Sequence, residues 1–333
     1  MKEFSFFFEK WIRNYYKNAK IGKDGDFYTS VSTSKFFGGC IAKYIIEKLE
    51  NSILKLPLNI IDLGGNNTSL LCDIYDFLEA LSDGIIQNAN FILIESNNLN
   101  ITPKNGIKIL KNLSSIEKLD SNTIFIANEF FDALPCELYF EGKMLFLNEN
   151  FNDAAFLPSN NIVSNIAENA NIQIGEIPLS YVNFIKNLDS INTLKQKWLF
   201  LVFDYGDKTP SNAFNIRIFH KHKIIPLFSK SNDLGSLDSI HNARESFNKY
   251  FAKADITYNV PFGFLESLFS EIGAKEILFK KQDLALIEEF KILNLLSDFY
   301  KNAPASLYLR ESNKIKTLLS LSTSFKAAIY ANF

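Results

Sequence analysis

The sequence predicts a doubly wound α/β fold built on a mostly parallel sheet. Short apolar runs, Leu58 to Leu63, Asn90 to Glu95, Gly106 to Leu110, Thr123 to Ala127 and Trp198 to Phe203, alternate with segments of helical periodicity. Runs apolar on both faces belong to strands covered on each side by crossover helices. The first run also meets Gly64-Gly65 and then a helical segment, the pattern of a buried strand entering a tight turn.

Each element has its own local signal. Phe36 to Glu50 carries Ile41, Tyr44, Ile45 and Leu49 at helical spacing, with Ser34 as a cap. Thr68 is placed to cap a helix through Leu81, whose Leu70, Leu71, Ile74 and Leu78 share one face. Between the fourth and fifth strands lies a long segment, about Pro135 to Lys197, in which Glu141-Gly142-Lys143 marks a hairpin turn. This insertion is expected over the carboxyl ends of the strands, where it would select substrate. Pro261 to Ile272 reads as a helix closed by Gly273, Lys275 to Phe279 as an edge strand, and Gln282 to Tyr300 as one further helix. The expected division is a substrate and lid segment at 1–35, a ligand-binding core at 36–135 and 196–280, an inserted region at 136–195, and a helical region at 281–333.

Composition narrows the function. The 333 residues are 47% hydrophobic and 22% charged, enough to bury a substantial core. The formal charge of −2 comes with no Lys/Arg cluster, which argues against a nucleic-acid partner. No apolar run approaches the roughly 18 residues of a membrane span. Cys40, Cys72 and Cys136 are an odd number without C-x-x-C spacing, as expected of a reducing cytoplasm. His220 and His222 would share one face of a strand, but no third metal ligand accompanies them, so no metal site is expected. Glycine numbers only 14, while Asn, Lys, Ile and Phe, residues with A/T-rich codons, abound. Such drift replaces Gly by Asn where the backbone permits it, so missing glycines carry less weight here.

Three signals carry chemistry. In I-I-D-L-G-G-N-N-T-S, Asp62 stands two residues before Gly64-Gly65, where the bare turn lets a ligand approach the backbone at a helix N-terminus; an unliganded strand-to-helix turn reads the same way. Glu95 ends the second strand roughly thirty residues later, where nucleotide-binding folds set a carboxylate on ribose hydroxyls; a solvated strand end is the alternative. In T-I-F-I-A-N-E-F-F-D-A-L-P, an apolar strand runs into Asn128, Glu129 and Asp132 and stops at Pro135. Two carboxylates and an amide so placed can hold a cationic nucleophile, although Asn128 or Asp132 would also serve as an ordinary helix cap. If the chain turns there into a helix, Glu129 and Asp132 share a face.

These segments resemble the MidA-type methyltransferases, a family that includes the mitochondrial complex I assembly methyltransferase. Ala127 to Pro135 matches the family signature without a substitution. Gly25 to Ser30, Asp62 to Ile74, Phe91 to Ser96, Phe203 to Gly206, Arg217, His222 and Ala254 to Thr257 follow in the family's order. The resemblance departs at the cofactor loop, where Asp62 stands for Glu and Asn66, Asn67 and Thr68 for the later residues, at Val31-Ser32, and at Pro261, where the family has Asp.

The resemblance implies a seven-stranded, Rossmann-like class I methyltransferase sheet with S-adenosyl-L-methionine at Asp62, Gly64, Gly65, Glu95 and Asn128. It further implies a protein arginine as acceptor, on a respiratory complex I subunit, with Asn128, Glu129 and Asp132 catalytic. Asp26, on a glycine-flanked loop, would close over the site, unless it is a turn residue only; Tyr205 would line the substrate channel or simply pack. Because the cofactor loop is altered, a catalytically silent assembly scaffold that binds a partner subunit is the competing reading. A dinucleotide-dependent dehydrogenase is disfavoured by the lack of G-x-G-x-x-G.

Overall fold

The computed structural model describes residues 1–17, 30–96, 106–193, 195–221, 223–228, 237–301 and 303–333. The chain divides into two compact units. Tyr28–Phe130, Lys186–Asp204 and Phe269–Phe333 form the sheet unit, while Met1–Phe27, Phe131–Ile185 and Tyr205–Leu268 form the other. Residues 205–268, expected with the ligand-binding core, therefore group with the insertion.

The sheet unit is built on seven strands, β1 (Leu58–Leu63), β2 (Ala89–Ile94), β3 (Lys108–Leu110), β4 (Asn122–Asn128), β5 (Trp198–Asp207), β6 (Lys275–Lys281) and β7 (Phe325–Ala331). Their order is β6-β7-β5-β4-β1-β2-β3. The β3-β2-β1-β4-β5 run is parallel throughout, and the β6-β7 pair is antiparallel. All six residues of β1 are buried, as are Ile124, Phe125, Ile126 and Ala127 of β4. Both faces of these strands are apolar because helices cover both, so the expected fold class holds. Strand β7 had no clear signal in the sequence, and it makes the region after 281 more than helical.

The helix Phe36–Glu50 begins and ends where its periodicity predicted. Ser34 Oγ accepts the Phe36 amide at 3.2 Å, so it serves from one position earlier than the cap residue Lys35. The helix Ser69–Leu81 lacks the expected side-chain cap from Thr68; Asn67 Oδ1 takes that part by accepting the Ser69 amide at 2.8 Å. The two helices cross where a Cβ on Gly38 would lie 2.7 Å from Asp73 Cβ and 3.2 Å from the Ile74 amide nitrogen.

Gln282 to Tyr300 forms two helices, Gln282–Glu288 and Ile292–Tyr300, and not one. Lys291 turns left-handed, φ 54°, and the preceding Phe290 is fully buried against Phe203 and Tyr44. Burying that ring outweighs continuing the helix, since one aromatic side chain is worth about 1.5–3 kcal/mol in transfer.

In the other unit, a five-stranded antiparallel sheet contains the expected hairpin, Glu137–Phe140 with Lys143–Leu147, and Glu141 and Gly142 both take positive φ. A second, three-stranded sheet pairs Arg217–His220 with Lys223–Pro226 and Asp255–Thr257. Buried Glu137 accepts the Ser5 amide at 3.3 Å, which ties the first turn of the helix Phe4–Tyr16 to the first sheet. No helix among the described residues is long and apolar enough to cross a membrane.

Substituting Gly38 by Val should cost about 1–3 kcal/mol through overpacking, because backbone and a Cβ oppose it. The atoms nearest a Cβ on Gly39 would be the outer ring atoms of Phe77, a side chain that can turn aside. Gly39→Ala should therefore cost less, and urea denaturation midpoints of the two variants check the order.

Candidate functional site

Strand order reverses at β1, which has β2 on one side and β4 on the other. A crevice opens at the carboxyl ends of strands that diverge this way. Each predicted site residue of the sheet unit sits at or just past such an end. The hydrogen-bond ladder runs slightly beyond the strands: the Gly64 amide donates to Ile94 O at 2.8 Å, Glu95 to Leu110 O at 2.9 Å, and Glu129 to Phe203 O at 2.9 Å. Backbone pairing thus brings Asp62, Gly64, Gly65, Glu95, Asn128 and Glu129 to one edge of the sheet.

The glycine turn keeps its shape without a third glycine. Gly64 has φ 68° and Asn66 φ 52°, a left-handed conformation that Asn tolerates. A Cβ at Gly64 would lie 2.7 Å from the Phe130 ring, and one at Gly65 would collide with Asp62 Oδ2 and lie 2.9 Å from Leu93 Cδ1. The signature residue Phe130 therefore packs directly on the turn. The Asn66 amide donates to Glu95 Oε2 at 3.1 Å, so the turn and the second strand's acid are joined.

Electrostatically the edge is acidic, with Asp62 and Glu95 buried and Gly64, Asn66 and Glu129 reaching solvent. Asp62 is 1% exposed, and burial, reinforced by the nearby Glu95 charge, raises its pKa from 3.8 to about 7. Asp62 Oδ2 and Asn128 Oδ1 are buried without a hydrogen-bond partner. An orphaned buried acceptor costs about 1–3 kcal/mol, which a bound donor recovers. Asn128 Nδ2 meanwhile donates to Glu129 Oε1 at 3.2 Å, which leaves its carbonyl oxygen for a ligand. S-adenosyl-L-methionine offers an ammonium, two ribose hydroxyls and an adenine amino group, all donors. The residues present fit it: vacant acceptors at Asp62 and Asn128, a carboxylate just past the neighbouring strand at Glu95, and two positions bare of side chains.

Asp132 departs from the expectation. Past Glu129, itself left-handed at φ 52°, the chain makes only a three-residue 3-10 turn, Phe131–Ala133. No helical face unites Glu129 with Asp132, because the turn stops before Pro135 can enter a helix. Asp132 belongs to the other unit, where it is 6% exposed and its Oδ2 accepts the Thr257 hydroxyl at 2.6 Å. Burial raises its pKa to about 6, against the Thr257 hydrogen bond and the Arg217 charge, which lower it.

Arg217 donates to Asn259 Oδ1 at 2.6 Å and Asn215 O at 3.2 Å, and its guanidinium lies over the Tyr205 ring. Tyr205 thus packs on a cation within its own unit. Asp26 and His222 lie outside the described residues. No group of three or more His, Cys, Asp or Glu is arranged to hold a metal among the described residues.

Sequence reasoning missed Asn66 as the link to Glu95, Phe130 as the ring over the turn, and the hydroxyls of Tyr181, Thr257 and Tyr258. Phe130 and Thr257 had a signal in their places in the A-N-E-F-F-D-A-L-P and A-D-I-T matches, and Asn66 in its place in the cofactor loop; Tyr181 and Tyr258 had none.

The profile of a family described as "Putative S-adenosyl-L-methionine-dependent methyltransferase" matches residues 40–279. The chain is 24% identical over 297 residues to a Caenorhabditis elegans protein named "Protein arginine methyltransferase NDUFAF7 homolog, mitochondrial". That match covers 77% of this chain and 63% of the relative's length. Two crystal structures of Burkholderia thailandensis proteins share the fold, at TM-scores of 0.70 and 0.69 and identities of 16% and 17%. Each covers 99% of this chain and 87% of the other, and the first has S-adenosyl-homocysteine bound.

Asp62 gives a pH prediction. Its folded pKa is raised, so folding favours the protonated form: the contribution is full below about 4 and is lost as pH rises through about 7. Asp62→Asn, always neutral, should lose less stability than wild type between pH 4 and 7. Denaturant midpoints across that range measure it, and parallel wild-type and variant profiles would refute it.

Proposed function

Because the chain belongs to the MidA-type family of S-adenosyl-L-methionine-dependent methyltransferases, we propose that it methylates an arginine of a protein partner, as the name of its Caenorhabditis elegans relative suggests. A respiratory complex I subunit is the partner class to test first. The observation that carries the reading is the seating of the signature on the cofactor turn: Phe130 against Gly64, with Asn128 and Glu129 hydrogen-bonded to each other at the strand end.

In this reading Asp62, Asn128 and the bare Gly64-Gly65 backbone hold the amino-acid and base portions of S-adenosyl-L-methionine, and Glu95 holds the ribose hydroxyls. When bound, the cofactor supplies a methyl group on a positively charged sulfur. A guanidinium is protonated at every accessible pH and is a poor nucleophile. Glu129 orients it through charge-assisted hydrogen bonds and accepts the proton released as the new N–C bond forms and the S–C bond breaks.

A carboxylate fixed beside the reacting atoms is worth most while charge moves, which places its effect on kcat and not on cofactor affinity. The altered loop had favoured a silent scaffold. Its left-handed Asn66 and the vacant acceptors beside it speak for a working cofactor site.

Glu95→Ala should weaken cofactor binding by about 1.5–3 kcal/mol, the worth of hydrogen bonds to a charged group. Calorimetry with S-adenosyl-L-methionine measures it, and an unchanged dissociation constant removes Glu95 from the site. Glu129→Gln should keep cofactor affinity and abolish transfer of radiolabelled methyl groups to a respiratory-complex fraction. Equal labelling by wild type and variant would dismiss Glu129, and no labelling by a cofactor-binding wild type would return the scaffold.

A further inference from the structure

The turn that follows Glu129 is held by an unusual number of side-chain hydroxyls. Tyr181 donates to Phe131 O at 2.8 Å, and Tyr258 to Leu134 O at 2.9 Å, with Phe131 O and the Tyr181 hydroxyl each 3.2 Å away. Thr257 donates to Asp132 Oδ2 at 2.6 Å and lies 3.3 Å from Asp132 O. Tyr181 and Tyr258 are fully buried, and Thr257 and Asp132 nearly so. Two carbonyls of a four-residue segment, Phe131 O and Leu134 O, together with its one carboxylate, thus each receive a hydroxyl donor. Backbone carbonyls in a buried turn must find such partners, since the 3-10 geometry satisfies few of them.

We propose that Asp132 is a positioning residue and not a carboxylate that meets the substrate. With Thr257, Tyr181 and Tyr258 it forms a hydroxyl clamp that fixes the turn Phe131–Leu134, and Glu129 is left as the one signature acid for the incoming cation. The burial of Asp132, the short Thr257 bond and the internal guanidinium of Arg217 all argue that its charge is spent inside its own unit. The inference rests on the methyl-transfer reading for its functional consequence, and on the hydrogen bonds alone for the clamp.

The two roles for Asp132 predict opposite orders of variants. Asn at 132 keeps an oxygen for the Thr257 hydroxyl but carries no charge, whereas Ala at 132 and Val at 257 both break the bond. For a clamp, Asp132→Asn costs at most about threefold in kcat, while Asp132→Ala and Thr257→Val each cost about tenfold, the worth of one buried hydrogen bond. Thr257→Ser restores activity, and cofactor affinity stays constant in the whole set. The double variant Asp132→Ala/Thr257→Val should be no worse than the poorer single one, as expected of two ends of one bond.

A substrate-binding Asp132 predicts instead that Asp132→Asn is as inactive as Asp132→Ala while Thr257→Val stays near wild type, and that result overturns the proposal. Hydrogen exchange supplies the readout without activity. Amides of residues 131–134 should exchange faster in Asp132→Ala and Thr257→Val, but not in Asp132→Asn or Thr257→Ser. Unchanged exchange in all four refutes the clamp. Should wild type bind cofactor yet label no acceptor, the arginine reading falls and the exchange order still decides the clamp.

Discussion

The site depends on β1 being hydrogen-bonded along both edges and apolar on both faces. Leu58 to Leu63 pairs in register with β2 on one side and β4 on the other, so every backbone polar group of the strand is consumed within the sheet. Side-chain polarity enters near the two ends of the strand: Asn59 at the amino end is satisfied by Thr123 and Asn90, and Asp62 lies at the carboxyl end. Asp62 lies next to last in the strand, Glu95 just past its neighbour, and Asn128 and Glu129 at the end of the other neighbour. The concentration of acid at one edge follows from the reversal of strand order, since strands diverging from β1 leave their ends facing a common gap.

That constraint explains the burial of Asp62 as well as the charge at the edge. Phe91, Leu93, Ile124 and Ile126 join one continuous core with the helices Phe36–Glu50 and Ser69–Leu81. Asp62 emerges from this apolar layer and cannot hydrate, which pushes its titration toward neutrality. Leaving two acceptors unsatisfied lowers the stability of the empty protein, a cost that active sites commonly carry elsewhere in the fold. In the other unit two buried acids accept backbone amides. Glu176 accepts the amides of Asn215 and Ile216 at 2.7 and 2.9 Å, and one oxygen of Glu137 accepts that of Ser5, while Glu137 Oε1, like Asp62 Oδ2, is buried without a hydrogen-bond partner.

Much of the sheet was legible because buried parallel strands leave uninterrupted apolar runs. Leu58 to Leu63 emerged with both ends correct, and the ends of β2 and β4 moved by a single residue. Strand β7 was hidden: Phe325 to Ala331 contains Lys326 and three alanines, a pattern that equally suits a helix. The break at Lys291 was hidden for another reason. Nothing local ends the helix there, and only the distant partners of Phe290 make the turn worthwhile. At the site, single residues such as Asp62 and Glu95 could be placed from their distance to a strand end. The fate of Asp132 could not, because Thr257 stands 125 residues away in the chain.

The glycine turn separates two demands that a repeated-glycine motif merges. Positions 64 and 65 must lack a side chain, since Phe130 and Asp62 occupy the space a Cβ would take. Position 66 needs only handedness, and Asn supplies it at φ 52°. A chain under pressure to shed glycine codons can therefore give up the last glycine of the loop and keep the pocket. Relatives with equally worn loops will be passed over by any search that counts glycines. Scoring two positions for empty volume and the next for left-handed tolerance would recover them.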